Sequence, residues 1–166
     1  VGACLKHICV NNQETRRFAV DVIIDERSLR EIYLRGFEYT VKKVNPWTLM
    51  CAYNKLNGIP CSEQRWLFQQ VIRGEWGFSG LVLTDWAATN DRIKGLQAGI
   101  DLEMPGSYGA HDSRIKEALD AKELTKECLD EAVSLNVDLI LKAKKAIGDK
   151  ADVMLLEAHH ELAYHV

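Results

Sequence analysis

Gly80-Leu-Val-Leu-Thr-Asp-Trp86 decides how this chain folds. A glycine opens a short run that is apolar at consecutive positions, and the run ends abruptly at an aspartate and a tryptophan. Continuous apolar character, rather than alternation, belongs to a strand covered on both faces. Three other runs share this form: Ala3 to Val10, Trp47 to Tyr53 and Ile100 to Met104. Helical patterns lie between them. Strands alternating with helices predict βα units on a parallel sheet.

After Asp25, the residues Leu29, Ile32, Tyr33, Gly36, Phe37, Val41 and Val44 recur three or four apart and predict one apolar helix face, stopped by Asn45-Pro46. Ser62 is read as the N-cap of the next helix, which would turn Trp66, Leu67, Gln70 and Val71 inward and close at Gly77. A shorter helix is expected over 90–98, with Ile93 and Leu96 inward, and Gly99 releases the chain into the last apolar run. Residues 105–110 read as a loop. Thr125 then caps a long helix in which Leu129, Val133, Val137, Ile140, Leu141 and Ile147 recur at helical spacing. A last helical segment is expected over 151–164. Four βα units make half of an eight-stranded barrel and leave two open sheet edges. The expected fold is therefore α/β: parallel βα units forming part of a (β/α)8 TIM-type barrel over 1–150, followed by a helical segment over 151–166.

A chain of 166 residues, 47% hydrophobic, supports one globular core. A net charge of -3 provides no basic field for nucleic acid, and no apolar run reaches transmembrane length. The five cysteines contain no CxxC pair and read as free thiols. With no Asn-x-Ser/Thr sequon, that usage leans toward a reducing cytoplasm. No cofactor motif is visible: no Gly-rich phosphate loop follows any strand, and His159, His160 and His165 lack metal-ligand spacing.

On a parallel sheet, ligands bind at the carboxyl ends of the strands. The residues falling there are Lys6 and His7, then Met50, Tyr53 and Asn54, then Asp85 and Trp86, then Asp101, Glu103 and Met104. Carboxylate, cationic donors, a phenol and an indole suit a sugar, whose hydroxyls take charged partners and whose C–H face stacks on an aromatic ring. Asp101 and Glu103, two apart on a strand, are read as structural. Arg16 and Arg17 are read as supporting the loop after the first strand.

Lys6-His7, Asn11-Asn-Gln-Glu-Thr-Arg16, Asp25-Glu-Arg-Ser-Leu-Arg-Glu-Ile-Tyr-Leu34, Met50-Cys-Ala-Tyr-Asn54, Glu75-Trp-Gly-Phe78, Leu83-Thr-Asp-Trp86 and Gly99-Ile-Asp-Leu-Glu-Met-Pro105 together resemble the β-glucosidases of glycoside hydrolase family three. The resemblance covers nearly the whole chain in order. It implies a larger enzyme with a (β/α)8 barrel followed by an α/β sandwich domain, this chain matching the C-terminal half of the barrel. It implies Asp85 as nucleophile, Lys6 and His7 as ligands of sugar hydroxyls, Tyr53 beside the nucleophile, and Met50 and Trp86 lining the pocket. Lys6 is expected to help keep Asp85 ionised where it approaches closely.

A retaining mechanism also needs a protonated carboxyl roughly 5 Å from the nucleophile. No such residue is identifiable in this chain. The resemblance implies that it comes from the following domain, so the isolated chain is expected to be inactive and to need the missing half-barrel and C-terminal domain, or another chain. The expected partner is a β-linked glucoside or short oligosaccharide. Alternatives are a β-xylosidase of the same family and a truncated chain with at most weak sugar binding. The N-acetylglucosaminidase branch is disfavoured, since it resembles Lys-His-Phe-Pro-Gly-His where this chain has Lys-His-Ile-Cys-Val-Asn.

Overall fold

Three of the four apolar runs form strands in the structure. A computed structural model describes residues 2–148 and 156–165. Strand β1 (Cys4–Ile8) leads through a loop to the short β2 (Asp21–Val22) and to a helical stretch made of α1 (Glu26–Ser28), a π-type turn (Leu29–Tyr33) and α2 (Arg35–Val44). Then come β3 (Thr48–Cys51), β4 (Lys55–Leu56), β5 (Ile59–Pro60), a 3-10 turn (Cys61–Glu63), a π-type helix (Trp66–Glu75) and β6 (Leu81–Leu83). The rest is helical: α3 (Arg92–Ala98), α4 (Ala110–Asp120), α5 (Lys126–Ile147) and α6 (Leu156–His165). Residues 151–155, the start of the expected last segment, lie outside the described residues.

The main sheet is parallel with order β1-β3-β6, each new strand adding to the same side. Leu5 pairs with Leu49, Leu49 with Val82, and Met50 with Leu83. The fourth run does not form a full strand. It meets β6 through one parallel bridge, Leu83 to Leu102. Leu49, at the centre, is fully buried among Ile8, Cys51, Phe68, Val71 and Ile72. A leucine-to-alanine change at such a site costs about 2–5 kcal/mol. Burial pushes the Cys51 thiol up, so it packs as an apolar side chain at neutral pH. All five cysteines are free, three of them buried.

A second, smaller sheet was not foreseen. β2 pairs in parallel with β4, and β4 turns back into β5. Asn57 and Gly58 both have positive φ, 50° and 88°, the geometry of a two-residue primed turn. The Asn57 side chain also bonds both the N–H and the carbonyl of Ile24, tying the segment after β2 to the turn between β4 and β5.

Helix ends follow local chemistry in most places. Asn45 adopts the left-handed conformation that ends α2, and Asp91 and Thr125 cap α3 and α5. Gly99 closes α3 at φ 101°, where a Cβ would also sit 2.7 Å from the Gln69 side chain. Gly80 enters β6 where a Cβ would meet the Trp47 carbonyl at 2.5 Å. Ser62 is not an N-cap: it lies buried in the 3-10 turn, and the helix begins four residues later without a side-chain cap.

Two apolar faces also differ from expectation. In the stretch before β3 the π-type turn spaces buried residues five apart, Leu29 to Leu34, and then Val41 follows, while Ile32 and Val44 face outward. In the next helix, also π-type, Leu67, Phe68, Val71 and Ile72 are buried and Gln70 is exposed. On α5 the buried contact runs through Ala132 and Leu129 against Ile93, Leu96 and Ala118. The predicted stripe of Val133, Val137, Ile140, Leu141 and Ile147 is about half exposed.

Asp101 is the structural keystone at the far side of β6. Its Oδ2 accepts from the Arg73 guanidinium and from the Val82 N–H, both at 2.7 Å. Burial pushes its carboxyl up to about 6, against the opposing pull of Arg73 and that N–H. Because the folded-state value lies above the unfolded one, Asp101 contributes stability that is present below about pH 4 and lost as pH rises toward 6. We predict that Asp101→Asn flattens the stability-versus-pH curve between these limits in urea titrations. Arg73→Met, which strands the carboxylate, should cost about 3–5 kcal/mol at pH 7.

Candidate active site

The parallel register sets the carboxyl ends of β1, β3 and β6 along one edge, and each end contributes a polar side chain. His7 is within β1, Tyr53 follows β3 by two residues, and Asp85 follows β6 by two residues. The three meet. Asp85 Oδ2 lies 3.0 Å from His7 Nε2, and Asp85 Oδ1 accepts from the Tyr53 hydroxyl at 2.9 Å and from the Trp86 N–H at 3.1 Å.

Two donors saturate Oδ1 and one reaches Oδ2. A carboxylate offers about four lone-pair positions, so Oδ2 keeps one free. Asp85 is mostly buried but not sealed, with 17% of its side chain exposed. Such a group is an oriented carboxyl with one direction left open.

Tyr53 is held as a donor. Burial raises its phenol above the ordinary value, and the hydrogen bond to Asp85 raises it further. Its ring is wedged edge-on to Phe18, with centroids 4.6 Å apart, and Arg17 lies over its face at 4.6 Å. Arg17 also pairs with Glu14 at 2.8 Å, the loop-supporting role expected of it. The contact with Tyr53 was missed, and no local pattern announces it: the partners are separated by more than thirty residues and joined through the second sheet.

Lys6 does not pair with Asp85. The imidazole of His7 occupies that position, and Lys6 is an exposed side chain over a recess of about 430 Å³ shared with His7, Asn11, Asn12, Tyr33 and Phe37. Met50 is half-buried on β3 opposite Leu83, and Trp86 is 61% exposed beside Asp85. The indole is thus free to stack. Glu103 is engaged elsewhere: it binds His111 Nδ1 at 2.7 Å and lies 3.7 Å from Arg92. Asp101 is committed to Arg73. Among the described residues no three His, Cys, Asp or Glu side chains converge as a metal site, and no helix is long and apolar enough to cross a membrane.

A carboxylate at a parallel strand end, clamped by a phenol and an imidazole beside an open indole, is a set of groups that suits a carbohydrate. Comparison with known proteins sharpens this. The profile of the glycosyl hydrolase family 3 N-terminal domain matches residues 5–137. Over 163 residues the chain is 51% identical to thermostable beta-glucosidase B of Acetivibrio thermocellus, covering 98% of this chain and 22% of that protein. It is 44% identical over 164 residues to an exo-alpha-(1->6)-L-arabinopyranosidase of Bifidobacterium longum, covering 99% and 21%. Among solved structures, the family 3 beta-glucosidase of Bifidobacterium adolescentis superposes with a TM-score of 0.90 at 43% identity, over 99% of this chain and 24% of that one. Beta-glucosidase 3B of Thermotoga neapolitana, in complex with alpha-D-glucose, superposes with a TM-score of 0.84 at 45% identity, over the same shares. The chain belongs to glycoside hydrolase family 3. It spans about a quarter or less of the length of these relatives.

The Tyr53–Asp85 bond has a direct readout. Replacing Asp85 by Asn should bring the Tyr53 phenol back down toward its ordinary value. It should stop short of that value, because burial is the larger cause. The difference in phenolate absorbance between Asp85→Asn and the double variant that also carries Tyr53→Phe measures it. An unchanged midpoint would rule out the bond.

Proposed function

We propose that this chain is the nucleophile-bearing part of a retaining β-glucosidase, hydrolysing non-reducing terminal β-linked glucose through a covalent glycosyl-Asp85 intermediate. The observation that carries this reading is the three-donor clamp on Asp85, which leaves one lone pair of Oδ2 unclaimed. Attack on an anomeric carbon needs an ionised carboxylate, fixed in direction, and a surface for the sugar beside it. His7 and Tyr53 supply the fixing, and in this reading Trp86 and Met50 supply surface for the sugar. In this reading Lys6, out over the neighbouring recess, binds a sugar hydroxyl rather than the nucleophile.

The protonated partner that releases the aglycone is not among the groups bonded to Asp85. The two other strand-end carboxyls, Asp101 and Glu103, are held by Arg73 and by His111 with Arg92. In this reading the acid is a glutamate on a segment beyond these 166 residues, and the parallel sheet continues into a complete (β/α)8 barrel through partners at its two edges. Residues 1–150 then form the barrel part, and 151–166 lead toward the next domain. The chain alone would bind sugar weakly and turn over little, since losing general acid catalysis typically costs about 10²–10⁴-fold. The free thiols favour a cytoplasmic setting.

A pentopyranoside preference is the second reading, favoured by the 44% identity to the arabinopyranosidase. It includes the β-xylosidase alternative, since xylopyranosides and arabinopyranosides both lack the hydroxymethyl arm of glucose. Aryl β-glucoside, β-xyloside and α-L-arabinopyranoside, offered to the full polypeptide that carries this chain, separate the two by their kcat/KM values.

The nucleophile is tested with a 2-deoxy-2-fluoro-glucoside bearing a dinitrophenolate leaving group, whose departure needs little acid help. Peptide mass spectrometry should find the sugar on Asp85, and Asp85→Asn should lower turnover on the order of 10⁴-fold or more. A label on any other residue would sink the assignment.

A further inference from the structure

Thr84, immediately before Asp85, is 1% exposed, and its hydroxyl is inserted into the backbone of Met104. It accepts from the Met104 N–H at 2.8 Å and donates to the Met104 carbonyl at 3.3 Å. That same carbonyl accepts from the Ala87 N–H at 2.7 Å. Asp85 is therefore bracketed, Thr84 on one side and Ala87 on the other, by two attachments to a single residue of the neighbouring segment.

The ladder between β6 and this segment explains why a side chain is used. The Leu102 N–H bonds to the Val82 carbonyl, and the Thr84 N–H to the Leu102 carbonyl. Continued in the same pattern, a parallel ladder would next run from the Met104 N–H to the Thr84 carbonyl. It goes to the Thr84 hydroxyl instead. The side chain takes over the last rung, and the backbone is released from strand geometry one residue early. It then turns at Asp85, where the Ala88 N–H returns to the Asp85 carbonyl at 3.1 Å and Ala87 has φ 64°. That turn swings the carboxylate toward His7 and Tyr53.

Met104 is a firm anchor for such a bolt. Arg92 holds the carbonyls of Ile100 and Asp101, Asp101 holds Arg73 and the Val82 N–H, and Glu103 is gripped by His111 and Arg92. We propose that Thr84 is a positioning residue for the nucleophile: its hydroxyl ends the β6 ladder so that Asp85 Oδ2 points into the open site. This rests on the reading of Asp85 as the nucleophile. The hydroxyl is the operative part. A valine has nearly the same shape but leaves the part-buried Met104 N–H without that partner, which costs more than the bond itself where water does not replace it.

The test compares Thr84→Val and Thr84→Ser with the parent in the full polypeptide, using the dinitrophenyl 2-fluoro-glucoside. Thr84→Val should slow the first-order trapping of Asp85 by about ten- to a hundredfold, the scale of an ångström-sized misplacement. Its half-saturating concentration should hold within about threefold, because the sugar-binding side chains are untouched. Thr84→Ser should restore the parent rate within about threefold on the same criterion. Amide exchange should quicken at Met104 and Ala87 in Thr84→Val while β1 and β3 keep their protection.

Trapping by Thr84→Val at the parent rate overturns the proposal. So does a Thr84→Ser as slow as Thr84→Val, or a loss of protection across all three strands. If the parent itself carries no label on Asp85, the nucleophile reading falls, and this proposal with it. A labelled parent and an unaffected Thr84→Val sink only the proposal.

Discussion

Everything at the site depends on the register of three parallel strands. His7, Tyr53 and Asp85 are separated along the chain by 32 residues or more, and only the alignment of Leu5 with Leu49 and of Leu49 with Val82 brings their strand ends level. A slip of one residue would move every side chain of a strand to the opposite face. Burial at Ile8, along one face of β3 and throughout β6 opposes it. Leu49, Cys51, Val82 and Ile8 have no solvent-facing alternative, so the cost of slipping is the whole core rather than one contact.

The sheet carries two carboxylates near the end of β6, and the structure treats them oppositely. Asp101 receives a guanidinium and a backbone N–H on the same oxygen and is nearly sealed from water. Its charge is consumed by holding β6 to the following segment. Asp85 receives a phenol, an imidazole and one amide, and keeps one lone pair of Oδ2 free. A full ion pair with Lys6 would stabilise the carboxylate more, and would also blunt it. Hydrogen bonds from a phenol and an imidazole orient the group while leaving its electron density available. Lys6 lines an adjacent recess that shares only His7 with this cluster.

How far the sequence could be read follows from the range of each interaction. The strands at β1, β3 and β6 and the caps at Asn45, Gly99 and Thr125 were legible because each depends on a run or a residue acting within a few positions of itself. The meeting of Asp85 with Tyr53 was legible through the resemblance, not through spacing. The π-type turns were not legible, since the i to i+5 bonds that Leu29–Leu34 and Val71–Trp76 form arise from packing and no residue type signals them. They rotate the apolar faces away from the three-or-four spacing that the sequence advertises. Ser62 offered a cap that the fold declines, because the 3-10 turn buries it before the helix begins. Arg17 over Tyr53 and the β2–β4 pairing are tertiary in origin, and both were missed for that reason.

The outward stripe of α5 bears on the proposed completion of the barrel. This helix is apolar on two sides. Leu129 and Ala132 pack inward with Ile93, Leu96 and Ala118, while Val133, Val137, Ile140 and Leu141 recur on the other side with about half their surface in water. A helix at the surface of a globular domain needs only one apolar stripe, and a second one marks a contact with another element. The sheet is incomplete in the same sense: β1 stands at one edge of its order, and at the other β6 meets only the single bridge at Leu102. Open edges and a second apolar stripe are separate symptoms, one of unpaired backbone and one of unburied side chains. A closed barrel, the completion proposed above, would remove both at once.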